Sequence, residues 1–540
     1  MLLPGFNTRF GRALAAVLFA TASFGACVEV QADPRVTPFM SAVAETAALD
    51  DEIATFYRSN AYAPVWVGQG AEFEARRVAL FTALKRAADH ALPASSYKTD
   101  ALEAAMRGVR TQRDLGRVEV MLSRVFLKYA HDVSTGILTP KSIDEGIVRD
   151  VPRRDGTDLL KSFVSENPVV FLRSLPPKAP EYNRLMKARI ELQRQLERGG
   201  WGPVVNASKL EPGDSGNAIV QLRNRLIKMG YLNRSASVDY DAALQKAVQD
   251  FQYDMGLNTD GVAGTATIEA INVQIEDRLP SILVAMERER WMNIERGERH
   301  VWVNLVDFTA KIVDHGEVTF ETRSVIGANS HDRRSPEFSD VMEYMEINPY
   351  WNVPRSIAEN EYLPAMIASR GGAARHLQIV AGGGQIIPPE RINWAAVTPN
   401  NFPFALRQPP SNGNALGLVK FMFPNRYNIY LHDTPSKSLF ARDRRDFSHG
   451  CIRLADPFDF AYHLLARQVD NPVDYFHRIL NTGQNTQIDL KEPIPVHLVY
   501  RTAFISPKGH ANFRSDVYGR DAKIFDALLR AGVVLNGFAS

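Results

Sequence analysis

The stretch RRDFSHGCIRLADP, residues Arg444 to Pro457, contains Cys451, one of only two cysteines among 540 residues. His449, Gly450 and Arg453 flank the thiol. A thiol at its ordinary pKa of about 8.5 is mostly protonated at neutral pH, so a nucleophilic cysteine needs a nearby base or cation. These polar and glycine neighbours favour a reactive role for Cys451 over that of a small buried hydrophobic residue.

Two histidines are candidates for the base. His449 lies two residues before Cys451, whereas His432 ends the apolar stretch YLH, 19 residues upstream. A residue two positions away in a strand points to the same face but reaches the sulfur poorly. We therefore expect His432, on a neighbouring strand, to be the general base. Gly450 permits a backbone conformation that bulkier residues resist, and is expected to direct the amide of Cys451 at a developing oxyanion.

The length and composition of the chain limit the classes of protein to which it can belong. At about 100 to 200 residues per domain, 540 residues predict three or four domains. With 45% hydrophobic and 23% charged residues, the chain is neither largely disordered nor a polytopic membrane protein. The 63 basic residues nearly balance the 61 acidic ones, which argues against nucleic acid as a partner.

The first 32 residues have the pattern of a secretory signal peptide, so we expect an exported protein. Two arginines precede an apolar run at residues 13–26, and the small-residue pattern VQA ends at Ala32. An uncleaved membrane anchor, or cleavage before Cys27 to give a lipoprotein, are the alternatives. Cleavage at Ala32 would leave Cys451 without a cysteine partner for a disulfide.

Residues 33–205 are expected to form a helical scaffold domain. Two segments place apolar residues at helical spacing and predict core stripes. The stripes comprise Val78, Leu80, Phe81, Leu84 and Ala88 in the first segment, and Val120, Leu122, Val125 and Phe126 in the second. The aromatic residues of FYRSNAYAPVWVG could form a ligand surface, but packing in a core is the preferred interpretation.

Residues 206–275 are predicted to form a small three-helix domain. Helical spacing begins after a Gly-Asp-Ser-Gly turn and stops at Gly230, a second helix contains the pair FQ, and the string DGVAGTAT precedes a third helix. These elements, in this order between Leu210 and Asn272, resemble the peptidoglycan-binding domain of bacterial wall enzymes. A helical spacer without a ligand is the alternative.

Residues 276–540 change from helical to strand periodicity after a linker helix at Ser281 to Trp291. Alternation from His300 to Gly327, with a turn at Asp314 to Glu317, predicts a β-hairpin. The stretches EYMEINPYWNVP and KFMFPNRYNIYLH are interpreted as further strands. Between them, residues 355–417 are rich in Gly, Pro and Asn, and so long an interruption predicts a lid beside the site.

The strings HDTPSKSLF and SHGCIRLADP resemble the signature of the L,D-transpeptidases, whose YkuD-type catalytic domain has a His followed within twenty residues by Ser-His-Gly-Cys-x-Arg. INPYWNVPRSIA, QPPSNGNALGLVKFMFPNRYNIYLHDTP and PIPVHLVYRTAF are similar to the large periplasmic, YcbB-type branch. The resemblance implies a multidomain α+β protein: a helical scaffold, a peptidoglycan-binding domain, and a β-rich catalytic domain with a lid-like insertion.

The resemblance also implies roles for individual residues. Cys451 would be the nucleophile and His432 its general base, with no cofactor and no metal. Asp433 stands where other members of the superfamily have Gly, so the group that orients His432 is open, and a backbone carbonyl is expected. Arg453 would either orient a substrate carboxylate or brace the loop. The residues expected to stabilise the oxyanion or shape the site are Tyr430, Gly450, Ser448, His449 and Arg453.

The reaction implied by the resemblance is transfer of a peptidoglycan tetrapeptide stem, through a Cys thioester, to a second stem, which forms a 3→3 cross-link. A role in cell-wall biogenesis and cell shape, and acylation by carbapenems, would follow. We expect a periplasmic monomer that meets other wall-synthesis enzymes. Alternatives are carboxypeptidase activity, attachment of an outer-membrane protein, a non-catalytic wall-binding scaffold, and a zinc site at His432, His449 and Cys451.

Overall fold

The computed structural model describes residues 36–506 and 509–535. The predicted signal peptide, residues 1–32, lies outside the described residues. Within the described ranges, every helix is too short or too polar to cross a membrane. The N-terminal third of the chain is helical: α1 Pro38–Ala47, α2 Asp51–Ser59, α3 Ala71–Lys85, α4 Thr99–Arg107, α5 Gln112–Thr135, α6 Pro140–Ile143, α7 Gly156–Ser165, α8 Pro168–Ser174 and α9 Pro180–Glu197.

The helical region has one apolar core, which contains most of the predicted stripe residues. Val78 and Ala88 are the exceptions: 59% of the Val78 surface is exposed, and Ala88 is only partly buried and lies outside this core. Two residues correspond to about 200° of helical rotation, so Val78 faces away from Leu80, and its assignment to the stripe was wrong. Phe56, Tyr57 and Trp66 are buried in this core, which confirms the packing interpretation of the aromatic segment.

Three helices form the next unit: α10 Asn217–Met229, α11 Ala242–Met255 and α12 Thr265–Asn272. The first ends at Gly230, which adopts a left-handed conformation with φ of 89°. Gln252, of the pair FQ, accepts a hydrogen bond from the amide of Gly261 at 2.8 Å and donates to Val262 O at 2.9 Å. The FQ and DG-x-x-G elements therefore occur together because the side chain of Gln252, in the first element, is hydrogen-bonded to the backbone of the second.

Helix α13, Ile275–Trp291, is a buried connection between the helical region and the C-terminal sheet. Glu287 accepts hydrogen bonds from the amides of Ile137 and Leu138 at 2.7 and 2.9 Å. One residue further on, Arg288 forms ion pairs with Glu337 and Asp521 of the C-terminal part. The segment predicted as a linker helix thus contacts both the helical region and the C-terminal part through buried charged residues.

The C-terminal part is built on strands, with α16 Pro457–Leu465, α17 Pro472–Leu480 and α18 Arg520–Arg530 beside them. The strands are β1 Arg299–Asn304, β2 Thr309–Asp314, β3 Glu317–Gly327, β4 Phe338–Ile347, β5 Trp351–Asn352, β6 Gln378–Val380, β7 Ile386–Ile387, β8 Ala405–Gln408, β9 Val419–Met422, β10 Leu431–His432, β11 Asp446–Ser448, β12 Ile452–Leu454, β13 Thr486–Val499, β14 Ala503–Ile505 and β15 Ala511–Phe513. Nine of these strands form the main sheet in the order β11-β3-β12-β10-β9-β4-β13-β1-β2, and β2 also pairs with β3, so the sheet closes on itself. A short hairpin, β14–β15, lies outside it.

The predicted hairpin turn at residues 314–317 joins β2 to β3, as expected. KFMFPNRYNIYLH, by contrast, is not one strand, because it folds back on itself and Leu431 pairs with Phe421 in antiparallel register. Asn425 makes the reversal: its side-chain oxygen accepts from the amides of Tyr427 and Ile429 at 3.0 and 3.2 Å.

The predicted lid segment folds as a subdomain between β4 and β9. Strands β5, β8, β6 and β7 form a separate four-stranded sheet, together with helices α14 Arg355–Ile357 and α15 Leu363–Ala368. A core of its own holds the subdomain together, and this core includes Trp351, Leu363, Ile379, Trp394 and Leu406. Tyr430 packs against both this core and that of the main sheet, so the insertion covers the end of β10.

Candidate active site

Strands β10 and β12 bring the predicted catalytic residues together. They are parallel neighbours, with Leu431 opposite Ile452 and His432 opposite Arg453. Leu431 and Ile452 are fully buried in the core of the sheet. Because side chains alternate along a strand, His432 and Arg453 point to the other face, and so do Tyr430 and Cys451 two positions earlier. The two residues expected to act together therefore share one face of the sheet.

Cys451 is partly exposed and not in a disulfide. Its Sγ donates to the carbonyl of Asn428 at 3.4 Å. Burial raises the pKa of the Cys451 thiol to about 11, although hydrogen bonds from Tyr430 and the positive charges of Arg453 and Lys420 act in the opposite direction. The sulfur is consequently protonated at neutral pH.

His432 is buried, and its Nδ1 lies 2.5 Å from the backbone carbonyl of Asp433. A carbonyl only accepts hydrogen bonds, so Nδ1 carries the proton and Nε2 of the neutral ring has the free lone pair. Burial, followed by the charge of Arg453, lowers the pKa of His432 to about 3. Among the described residues, the thiol donates its proton to the carbonyl of Asn428 and not to His432.

Asp433 fixes the carbonyl that orients His432. Its carboxylate accepts from the amides of Thr434 and Leu418 at 2.7 and 2.9 Å and from Lys437 Nζ at 2.7 Å. Asp433 thus ties the end of the insertion to the base. The orienting group is a backbone carbonyl, as expected, and it belongs to Asp433 itself.

The loop before the thiol is shaped by Ser448 and Gly450. Ser448 Oγ donates to Cys451 O at 2.6 Å and accepts from the amide of Gly450 at 3.1 Å. Gly450 has φ of 114°, a conformation that side chains rarely adopt. The Gly450 amide is therefore hydrogen-bonded to Ser448 in this structure, and its expected role in stabilising an oxyanion stays a prediction. The Cys451 amide has no acceptor within the part of the chain that the structure describes.

The side chain of His449 contacts the insertion. Its Nε2 lies 2.6 Å from Oε1 of Glu361, a residue of the π-helical turn Ala358–Tyr362. Arg333 Nη2 donates to the same oxygen at 2.8 Å. His449 is thus engaged with the insertion, whereas His432 lies on the sheet face that it shares with Cys451.

Arg453 is a cation without an anionic partner in the described residues. Its Nε is buried and has no hydrogen-bond partner there. Burial lowers the pKa of its guanidinium, and the nearby Cys451 thiol raises it. Within the described residues its side chain makes no hydrogen bond or ion pair, and the choice between its two expected roles stays a prediction.

Tyr430 and Lys420 complete the face. The Tyr430 ring lies 5.7 Å from that of His432, and its pKa is raised well above the usual range by burial and by Cys451. Lys420, opposite His432 on β9, pairs with Glu346 at 2.9 Å. Sequence reasoning missed Lys420 and Glu346, although a lysine directly before the buried apolar residues of a strand is an available signal.

The described residues contain no group of three or more His, Cys, Asp and Glu side chains arranged to hold a metal ion. His432 and His449 instead have the protein partners given above.

Three family models match the chain. They are "Scaffold domain" at residues 51–188, "Putative peptidoglycan binding domain" at residues 215–271, and "L,D-transpeptidase catalytic domain" (YkuD) at residues 298–475. The third match contains every site residue discussed here.

A curated protein of Haemophilus influenzae, named "Putative L,D-transpeptidase", is 30% identical over 242 residues. The match covers 45% of this chain and 48% of that protein, so the chain spans about half the length of this relative. Among solved structures, the L,D-transpeptidases of Xylanimonas cellulosilytica and Stackebrandtia nassauensis are each 14% identical and each cover 55% of this chain, with TM-scores of 0.17 and 0.21. The shares of those two chains that are covered are 99% and 96%.

The predicted architecture is confirmed: a helical N-terminal region, a peptidoglycan-binding domain and a β-rich catalytic domain follow one another. The chain therefore carries, at residues 298–475, a catalytic domain of the L,D-transpeptidase (YkuD) family.

Proposed function

We propose that this protein is an exported peptidoglycan L,D-transpeptidase that forms 3→3 cross-links through a thioester on Cys451. The observation that carries the proposal is the shared face of β10 and β12, where Cys451, His432 and the unpaired Arg453 lie in a domain of this family. The donor would be the tetrapeptide stem of peptidoglycan, and the acceptor a second stem.

Acylation starts from a neutral thiol and a neutral imidazole. Rotation of the Cys451 side chain carries its S–H from the Asn428 carbonyl to Nε2 of His432, which accepts the proton as the sulfur attacks. The attacked carbonyl joins the L-centre of diaminopimelate to the terminal D-alanine. As the C–N bond breaks, His432 returns the proton to the departing amine, and D-alanine leaves.

The oxyanion of the tetrahedral intermediate needs donors that are not already used. The Cys451 amide is without an acceptor in the described residues, and the Tyr430 phenol, which stays protonated because burial raises its pKa, is released from its hydrogen bond to Cys451 when the sulfur attacks. These two groups are the proposed donors. Arg453 adds a positive charge and a binding site for a carboxylate of the stem.

Deacylation repeats the chemistry in reverse order. The side-chain amine of a second diaminopimelate attacks the thioester carbon and loses its proton to His432, the C–S bond breaks, and the sulfur leaves with a proton. Water as acceptor would give carboxypeptidase activity, and an amine of an outer-membrane protein would attach that protein to the wall. Acylation of Cys451 by a carbapenem follows from the same attack on a carbonyl.

The remaining domains fit an enzyme that works on the wall. The peptidoglycan-binding domain at residues 215–271 would hold the catalytic domain on its polymeric substrate. Export through the signal peptide would place the enzyme in the periplasm, where other wall-synthesis enzymes are its expected partners.

The experiment is turnover of purified disaccharide tetrapeptides, with products identified by mass spectrometry. The wild-type chain should release D-alanine and yield a cross-linked dimer, while Cys451→Ala should yield neither. Cys27→Ala removes the other cysteine and should leave turnover unchanged. Full turnover by Cys451→Ala would refute the mechanism, and a folded wild-type chain that binds peptidoglycan without turnover would support the scaffold alternative.

A further inference from the structure

A carboxylate from the insertion lies between two basic side chains next to the nucleophile loop. Glu361 Oε1 is 2.6 Å from His449 Nε2 and 2.8 Å from Arg333 Nη2. Its other oxygen has no donor within the described residues. The mechanism proposed above uses none of these three residues.

The two basic residues belong to the catalytic domain and are fixed to the loop of Cys451. His449 is part of that loop. The segment that carries Arg333 is held against it, because Ser335 Oγ donates to Gly450 O at 2.6 Å and the amide of Ala328 donates to Ser448 O at 2.8 Å. The segment of Arg333 and the loop of His449 are therefore tied to each other by hydrogen bonds within the catalytic domain.

Glu361, by contrast, belongs to the insertion subdomain. Its neighbour Tyr362 packs edge-on against Trp351, in the core of that subdomain. Glu359 on the same turn pairs inside the insertion, with Arg355 at 2.5 Å. Glu361 is thus the carboxylate of this turn that reaches across to the catalytic domain.

The Glu361 carboxylate is accessible enough for another carboxylate to displace it from His449 and Arg333. The side chains of His449, Glu361 and Arg333 are 31%, 36% and 36% exposed, and ion pairs this accessible stabilise a fold only weakly. A carboxylate that arrives with a ligand can therefore replace Glu361. The other acid close to Arg333 is Asp332, whose Oδ2 lies 3.9 Å from Arg333 Nε.

We infer that Arg333 and His449 form a carboxylate-binding subsite, which Glu361 occupies in this structure and which a carboxylate of the peptidoglycan stem takes when the insertion lifts. The inference rests on the proposed function for the identity of the ligand. Stem peptides carry carboxylates on diaminopimelate, and an arginine beside a histidine is a suitable donor pair for such a group.

Binding to the inactive Cys451→Ala chain tests the subsite separately from turnover. The probes are a disaccharide tetrapeptide and the same molecule with its diaminopimelate carboxylate amidated, and the measurement is Kd by titration calorimetry. Adding Arg333→Gln should weaken binding of the acid probe about tenfold, the usual effect of one charge-assisted hydrogen bond. The amidated probe should bind weakly and equally to both chains.

Glu361→Gln in the same background should strengthen binding of the acid probe several-fold, because the competing internal carboxylate is gone. Glu359→Gln, which alters the neighbouring pair inside the insertion, is the matched control and should change nothing. The inference is overturned if Arg333→Gln affects both probes equally, or if Glu361→Gln weakens binding as a lost brace would. Absence of turnover in the wild-type chain would instead count against the proposed function.

Discussion

Cys451 and His432 carry opposite pKa shifts, and both shifts favour the uncharged form. Burial raises the pKa of the thiol to about 11 and lowers that of the imidazole to about 3. The resting site therefore holds a thiol and a neutral base, not a thiolate beside an imidazolium. Proton transfer accompanies attack on the substrate, as in general-base catalysis.

Alkylation by iodoacetamide should report this state. Between pH 7 and pH 10 the rate at Cys451 should rise about tenfold per pH unit, because only the thiolate reacts and its fraction grows at that rate below the pKa. The Cys451→Ala chain gives the background from Cys27. A plateau below pH 9 would show a preformed thiolate and contradict the neutral pair.

Arg453 should set the reactivity of the thiol through its charge. Its positive charge lowers the pKa of Cys451, so Arg453→Gln should raise that pKa further and slow alkylation at pH 8 by about tenfold, the effect of one pKa unit. Arg453→Lys keeps the charge and should alkylate at nearly the wild-type rate. Equal rates in all three chains would show that the guanidinium does not act on the sulfur.

The sequence alone identifies site residues when they belong to the contiguous motif around Cys451 or lie on the strand next to it. The spacing of His432 and Cys451 indicated the pair, because β10 and β12 are adjacent. The contacts of Asn428, Lys420 and Glu361 depend on strand order and on the fold of the insertion. No local pattern contains that information.

At the scale of elements, the Ser448 to Cys451 turn positions the nucleophile. Gly450→Ala should cost about 1 to 3 kcal/mol of stability, since φ is 114° and the new Cβ would meet Ile429 Cδ1 at 3.2 Å. It should also reduce turnover strongly, because relaxation of the strain moves the Cys451 amide.

The matched control is Gly213→Ala, at φ of 101° with open space around the site. Urea unfolding should show a similar backbone cost for Gly213→Ala, while turnover stays at the wild-type level. If Gly450→Ala also kept full turnover, the turn would not be needed to aim the amide.

Most helices could be predicted and several strands could not. Glycine stops such as Gly230 follow from local conformational preference, so the three helices of the peptidoglycan-binding domain were found. The stretch 420–432 alternates like one strand, but its middle is reversed by Asn425 side-chain hydrogen bonds, which compete with the ladder. The insertion was recognised by composition, whereas its sheet was not predicted, because its strands are only two to four residues long.

At the scale of the whole molecule, α13 joins the helical region to the catalytic domain through buried charges. Glu287→Ala should destabilise the chain by about 3 to 5 kcal/mol. The substitution leaves the buried Arg290 without its ion-pair partner, and the amides of Ile137 and Leu138 without their hydrogen-bond acceptor. Urea unfolding followed by tryptophan fluorescence measures the change, and the helical region and the catalytic domain should unfold at more widely separated urea concentrations than in the wild-type chain.

An exposed pair serves as control. Glu191 and Lys187 are 60% and 77% exposed and 3.9 Å apart, so Glu191→Ala should change stability by no more than about 0.5 kcal/mol. A Glu287→Ala chain as stable as this control would show that the two parts of the molecule are not coupled through α13.

The most direct test of the central claim is intact mass spectrometry of the wild-type chain quenched in acid during reaction with a disaccharide tetrapeptide. The account predicts an adduct with the mass of the donor less D-alanine, located on the peptide that contains Cys451 and released by hydroxylamine as a thioester. Steady turnover with no adduct on Cys451, or with the adduct on another residue, would contradict it.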